Sequence, residues 1–232
     1  MKKTIKFGII TVVLLLIGVL FAPKLWSSFS KKDAAKVGQE RIAATEKPVV
    51  LKDGDIIFQV SQSDQCKAIQ LATKSKYSHC GILFKENGQF YVYEAVQRVS
   101  KTPLENWIAR GDNQHYVIKR LSNAESVLTN DVISQMKKEC QKHLGKNYDM
   151  TFEWSDDRIY CSELVWKAYK NVADIEVGQL EQLQDFDLSH PIVQQKVKER
   201  YGHKIPLKET VISPAAIFNA TNLETILSEN NF

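Results

Sequence analysis

Apolar and polar positions divide the chain into three regimes. From Phe7 to Ala22 sixteen residues carry no charge, and nearly all are apolar. Residues 27–48, "SSFSKKDAAKVGQERIAATEKP", scatter apolar residues among charges, and Pro48 ends them. From 49 onward, short apolar runs alternate with turn signals. There "VVLKDGDIIFQV" predicts a turn at Asp53-Gly54 and a strand over Ile56–Val60. "DQCKAIQLATKS" fits a short helix with Ile69, Ala72 and Thr73 on one side. "PLENWIARG" predicts a helical turn and "HYVIKRL" a strand. "SVLTNDVISQMKKECQKHLG" has helical periodicity and stops at Gly145. "IYCSELVWKAYKNV" is a second amphipathic helix, with Cys161, Leu164, Val165, Ala168 and Val172 on one face. The stretch 174–210 is polar and irregular around a helix at 191–201, and it predicts a lid or pocket wall. "SPAAIFNATNLETIL" closes the chain. The expected fold class is α+β, a small antiparallel sheet packed with helices.

The strongest local signal is "SHCGILFKENGQFYVYEAV", two β-rich runs around Asn87-Gly88, the preferred two-residue hairpin turn. That turn fixes a register. His79 faces Val96, Cys80 faces Ala95 and Gly81 faces Glu94. Side chains alternate between faces. Cys80 therefore joins Ile82, Phe84, Tyr91, Tyr93 and Ala95 on an apolar face, and His79, Gly81 and Glu94 take the other. His79 and Cys80, though adjacent, point apart, so Cys80 reads as a core thiol. Glu94 lies diagonal to His79, at roughly 7–8 Å between backbones, within reach of a long side chain. A carboxylate there accepts the imidazole N–H and fixes its tautomer. An ordinary polar face with an unrelated His and Glu fits the hairpin equally well.

Composition sharpens the picture at the N-terminus. Residues 1–47 hold nine of the 31 Lys/Arg and three of the 27 Asp/Glu, leaving 22 against 24 in the rest. The basic charge flanks the apolar run, and no basic stripe is interleaved with aromatics, which argues against a nucleic-acid partner. The run lies between a signal-peptide core and a spanning helix in length. Counted to Trp26, with Lys24 snorkelling, it is long enough to span. Ala22 makes a poor cleavage site, being preceded at −3 by Leu20 and followed by Pro23. The expected organisation is a signal-anchor over 1–26, a tether over 27–48 and a catalytic domain over 49–232. The domain is then exported, on the periplasmic or extracellular face of a bacterial cell envelope. Secretion after signal cleavage is the alternative.

The four cysteines, Cys66, Cys80, Cys140 and Cys161, form no C-x-x-C pair and have no metal-ligand spacing with the five histidines. No metal site is expected. An exported domain can form a disulfide, but the spacing names no pair. Cys161 stands apart. It opens an amphipathic helix, after "SDDRIY" with capping candidates Ser155, Asp156 and Asp157. A thiol at a helix N-terminus loses its proton more easily, and the free N–H groups there can hold an oxyanion.

Taken in order, "GDIIF", "SHCGIL" and "YCSELV" resemble the three signature blocks of the NlpC-type papain-like superfamily, with the cysteine block last. That order, with "GKNYD" before the cysteine and "SPAAIF" after it, resembles the circularly permuted branch of YaeF/YiiX-like amidases. This branch is related to the lecithin:retinol acyltransferase group. The resemblance spans roughly 50–225. It implies Cys161 as nucleophile, His79 as base and Glu94 as the residue that orients His79, with Tyr160 and Ser162 beside the cysteine as substrate-binding candidates. Tyr160 stands where unpermuted members have Asp, and Glu163 where they have Gly.

The function these signs imply is a membrane-associated cysteine hydrolase cleaving amide or ester bonds through a thioester, without a cofactor. Its partner is an envelope substrate, lipid or peptide. The same site as a lipid acyltransferase or lipid hydrolase is a second reading. A non-catalytic envelope binding module is a third. If the run 7–26 spans a bilayer, full-length protein stays with membranes through high-salt washing, because apolar burial holds it rather than its lysines. Sedimentation after a salt wash checks this, and release by salt alone, or an N-terminus near residue 23, rejects the anchor.

Overall fold

The structure is a computed structural model that describes residues 49–229. The apolar run 7–22 and the tether lie outside the described residues. Among the described residues no helix is long and apolar enough to cross a membrane.

Six antiparallel strands form the main sheet: β1 (Ile56–Gln59), β2 (His79–Glu86), β3 (Gln89–Ala95), β4 (Val99–Pro103), β5 (Tyr116–Leu121) and β8 (Leu223–Glu229). Their spatial order is β4-β3-β2-β1-β5-β8. Helix α1 (Asp64–Thr73) links β1 to β2. Helix α2 (Leu104–Ala109) follows β4. The single amphipathic helix expected before Gly145 is two pieces, α3 (Ala124–Val127) and α4 (Asn130–Lys142). Thr129 separates them because its side chain accepts the Val132 N–H and caps α4. Helix α5 (Cys161–Ala173) comes next, then a two-stranded ribbon of β6 (Glu181–Gln182) and β7 (Thr210–Val211), with α6 (Pro191–Tyr201) between them. Helix α7 (Pro214–Phe218) leads into β8.

The α+β architecture with an antiparallel sheet is as expected, and the sheet is larger. β4 and β8 add an edge strand on each side. β8 carries polar residues at most positions, so its hydrophobic pattern is faint and its strand character comes from pairing with β5. The hairpin register follows the Asn87-Gly88 turn, with Ile82 opposite Tyr93 and Phe84 opposite Tyr91. Asn87 and Gly88 both take positive φ, 49° and 85°, as a type I′ turn requires.

The alternation along these strands builds two cores. Ile56, Phe58, Cys80, Ile82, Phe84, Tyr93 and Ala95 face α5, which is buried around most of its circumference, and α4 packs against it. Ile57, Leu83, Val92 and Ile118 face the other way and close over Trp107 of α2. Gly81 lies on this second face. A Cβ there would stand 2.4 Å from Val92 Cγ1 and 2.8 Å from the Tyr93 carbonyl oxygen. Neither strand can retreat without breaking its ladder. Gly81→Ala is therefore expected to destabilise the protein by about 1–3 kcal/mol through overpacking. A denaturation midpoint unchanged from wild type would show that β2 and β3 can separate locally.

Candidate active site

Glu94, near the end of β3, is entirely buried, and its carboxylate collects four side-chain donors. His79 Nε2 lies 2.6 Å from Oε2. Trp107 Nε1–H donates to the same oxygen at 2.8 Å. The Thr102 hydroxyl donates to Oε1 at 2.6 Å. Arg110 Nη2 also donates to Oε2. Burial by itself raises a carboxyl. Here the bond from His79, with Arg110 and Thr102, overcomes it and holds Glu94 below its ordinary value. The acid is ionised and fully occupied.

His79 is the first residue of β2, opposite Gln59 at the end of β1, and 7% exposed. Its ring stacks on Trp107 with centroids 5.8 Å apart. With Nε2 held by Glu94, Nδ1 is the ring nitrogen left for another partner, and Cys161 is the neighbour that most raises the ring. Burial disfavours the imidazolium, but the Cys161 thiolate and the Glu94 carboxylate more than offset it and push the ring up to about 9.

Cys161 is the first residue of α5, 2% exposed. Tyr160 is the N-cap residue, with an extended backbone. The expected caps Ser155, Asp156 and Asp157 lie too far upstream. Glu163 does part of that work instead, its carboxylate accepting the Tyr160 N–H at 3.3 Å. Asp156 pairs with Lys167 on the same helix at 2.8 Å. Glu163, where unpermuted relatives carry Gly, is itself buried and sits 2.8 Å from Lys167 Nζ. Burial, only partly offset by Lys167, pushes it up to about 7.

Cys80 has a place the strand pattern could not reveal. It is in the core, as its alternation required, and it is the neighbour that acts most strongly to lower the Cys161 thiol. A hydrogen bond from Cys80, aided by the His79 imidazolium, holds the Cys161 thiol well below its ordinary range against the opposing effect of burial. Cys80 itself is pushed well above that range by burial and by the neighbouring thiolate. Cys80 and His79 leave β2 on opposite faces, and both act on the Cys161 thiol. All four cysteines are free.

Tyr160 and Ser162 both border the cavity beside Cys161, but their hydroxyls are engaged elsewhere. The Ser162 hydroxyl donates to the Ile212 carbonyl at 2.7 Å, and the Tyr160 hydroxyl accepts the Ile212 N–H at 3.1 Å. Together they lock the segment after β7 onto the start of α5. The cavity, of about 90 Å³, is overwhelmingly apolar, with Ile69 of α1, Leu183 and Leu188, and Val193 and Val197 of α6 among its walls. The irregular stretch 174–210 thus supplies much of the wall. Among the described residues no three His, Cys, Asp or Glu side chains are grouped to hold a metal ion.

A cysteine at the head of a helix, facing a histidine held by a carboxylate on a sheet, is a papain-like arrangement with the helix late in the chain. The chain belongs to the family of permuted papain-like amidases, YaeF/YiiX, C92, which residues 50–227 match. It is a family of cysteine-dependent hydrolases. The chain is 52% identical over 176 residues to a protein of Escherichia coli strain K12 named "Uncharacterized protein YiiX", covering 76% of this chain and 86% of that one. It is also similar to the crystal structure of "metalloprotein yiiX" from Escherichia coli O157:H7, with a TM-score of 0.73 and 51% identity over 77% of this chain and 97% of that one.

The depressed Cys161 thiol makes a direct expectation. Iodoacetamide at neutral pH should label Cys161 and spare Cys66, Cys80 and Cys140, which burial pushes up. Labelling of Cys161 should persist to lower pH than for an ordinary thiol, falling only as pH passes its lowered pKa. Peptide mass spectrometry across a pH series reads each site. Faster neutral-pH labelling of Cys66 or Cys80 than of Cys161 would overturn the assignment.

Proposed function

We propose that this protein is a membrane-associated cysteine hydrolase that cleaves amide or ester bonds through a thioester on Cys161. The observation that carries the proposal is the fully buried Glu94 carboxylate, which binds His79 Nε2 and so leaves Nδ1 free to serve the thiol. Cys161 is the nucleophile, His79 the general base and acid, and Glu94 the residue that orients and charges His79.

The thiolate attacks the carbonyl carbon, and the carbonyl π pair moves onto oxygen. Backbone N–H groups at the start of α5, which lie ahead of the helix's own bonds, face the developing oxyanion. The tetrahedral adduct collapses, the C–N or C–O bond breaks, and the leaving group takes the proton from His79. Water then gives a proton to His79 and attacks the thioester. Collapse frees the carboxylic acid and restores the thiolate. An alcohol or amine in place of water would make the same site an acyltransferase. The apolar cavity beside Cys161 favours an acyl chain over a short charged peptide, which supports the lipid-side reading. Tyr160 and Ser162 would shape the substrate channel by fixing Ile212.

The relative from E. coli O157:H7 is called a metalloprotein, but a resident metal ion does not fit the groups that the described residues of this chain bring together. His79 has one nitrogen on Glu94 and the other toward Cys161, Cys80 is engaged with Cys161, and no three-ligand set is present among the described residues. The protein's own groups carry each step. A spanning N-terminus with a tether of some twenty residues would keep the site near lipid, since a flexible chain of that length reaches about 25 Å on average.

Incubation of the full-length protein with bacterial envelope extract should leave an acyl mass on the Cys161 peptide, absent in Cys161→Ala. Glu94→Gln, which cannot balance the imidazolium, should fold and lose about 10²-fold or more in turnover. Wild-type turnover in Glu94→Gln would remove Glu94 from the mechanism. Cysteine-dependent cleavage of muropeptides alone, with N-acyl and phospholipid substrates untouched, would overturn the lipid-side preference.

A further inference from the structure

The cavity beside Cys161 has one feature at odds with its apolar lining. Arg200, in the last turn of α6, contributes to its wall. The Arg200 Nε and Nη2 atoms are buried, and among the described residues neither has a hydrogen-bond partner. Its described aromatic contact is the face of Phe152, 4.9 Å from the guanidinium carbon to the ring centroid, and that gives the N–H groups no acceptor. Two carboxylates are near enough to be felt, Glu199 and Asp149, and both are engaged elsewhere. Glu199 pairs with Lys196 at 2.8 Å and accepts from Gln195 at 2.9 Å. Asp149 accepts from the Thr151 N–H and hydroxyl and from the Glu153 N–H. The neighbouring Tyr201 hydroxyl donates to the Thr151 carbonyl at 2.6 Å, which pins the end of α6 and with it the guanidinium.

Two buried guanidinium nitrogens with idle donors are costly unless a ligand completes them. The planar guanidinium fork matches the paired oxygens of a carboxylate or phosphate. Arg200, Cys161 and Tyr148 border the same cavity. We infer that Arg200 binds an anionic group on the substrate, so that the substrate class is an anionic amphiphile, an apolar chain bearing a carboxylate or phosphate. The inference rests on reading Cys161 as the thiol that accepts the acyl group, and it names what that site selects.

The test is binding to full-length Cys161→Ala, which needs no turnover, with short probes that differ only in charge: N-hexanoylglycine, hexyl phosphate and the neutral N-hexanoylglycinamide. At least one anion should bind about tenfold or more tighter than the amide. Arg200→Met in the same background should erase that preference and leave amide binding within about twofold, while Arg200→Lys keeps part of it. Thermal unfolding without ligand should show Arg200→Met as stable as its parent or more so, since it removes buried donors that lack acceptors. Preference for hexyl phosphate assigns a phosphate group, and preference for N-hexanoylglycine a carboxylate. Equal binding of anions and amide, or a preference that survives in Arg200→Met, overturns the inference. So does a large fall in the unfolding midpoint, which would make Arg200 a packing residue. Arg200→Gln gives the same comparison if the Met variant does not fold. Anion preference without an acyl mass on Cys161 would sink the hydrolase reading and leave the anion site. An acyl mass without anion preference would do the reverse.

Discussion

The buried charge of Glu94 constrains everything around it. An uncompensated carboxylate held wholly out of water costs a folded protein several kcal/mol. This one is compensated from β2 by His79, from β4 by Thr102, and from α2 and the residue after it by Trp107 and Arg110. A partly satisfied buried charge is worse than none, so these elements cannot shift independently. Among the donors, the imidazole is the group suited to take and release a proton during a reaction. The constraint that holds this end of the sheet together therefore also sets the orientation and tautomer of His79.

Cys161 adds the second charge. Its thiolate is opposed by burial and favoured by the Cys80 thiol and the His79 imidazolium. The thiolate–imidazolium pair is present above the lowered Cys161 pKa and below the His79 value of about 9. Below that window the thiol regains its proton, and above it the ring loses one. Cys80 thus links the core to the site. The apolar face of β2 that packs on α5 also carries the S–H that steadies the thiolate.

Chain order and spatial order differ here. The strands bearing His79 and Glu94 precede the helix bearing Cys161, and the side chains meet at the junction of β2 and α5 in any case. The long excursion after α5 brings α6 and the β6–β7 ribbon over the mouth of that junction. Tyr160 and Ser162 fasten it there through Ile212. The departures from the unpermuted pattern have local roles. The Tyr160 ring and hydroxyl brace the cavity wall, and the Glu163 carboxylate caps the helix that presents the thiol.

Features that depend on short-range geometry were legible in the chain. Asn87-Gly88 set the hairpin register, the alternation along β2 and β3 separated Cys80 from His79, and helical periodicity put Cys161 at the head of α5. These follow from backbone geometry within a few residues, which the residue types dictate directly. Helix α6 at 191–201 was legible for the same reason. The break between α3 and α4 was less so, because a single Thr129 cap divides one continuous periodic pattern. β8 and β4 were not legible, because edge strands half in water carry little hydrophobic signal and gain their conformation from a partner. Three-dimensional packing alone brings Cys80 to bear on the Cys161 thiol, gathers Arg110, Thr102 and Trp107 on Glu94, and leaves Arg200 Nε and Nη2, at an apolar cavity, without hydrogen-bond partners among the described residues. Each of these joins residues distant in sequence or on separate elements. Their energies depend on burial and on what stands opposite, and neither quantity is written in any local stretch of the chain.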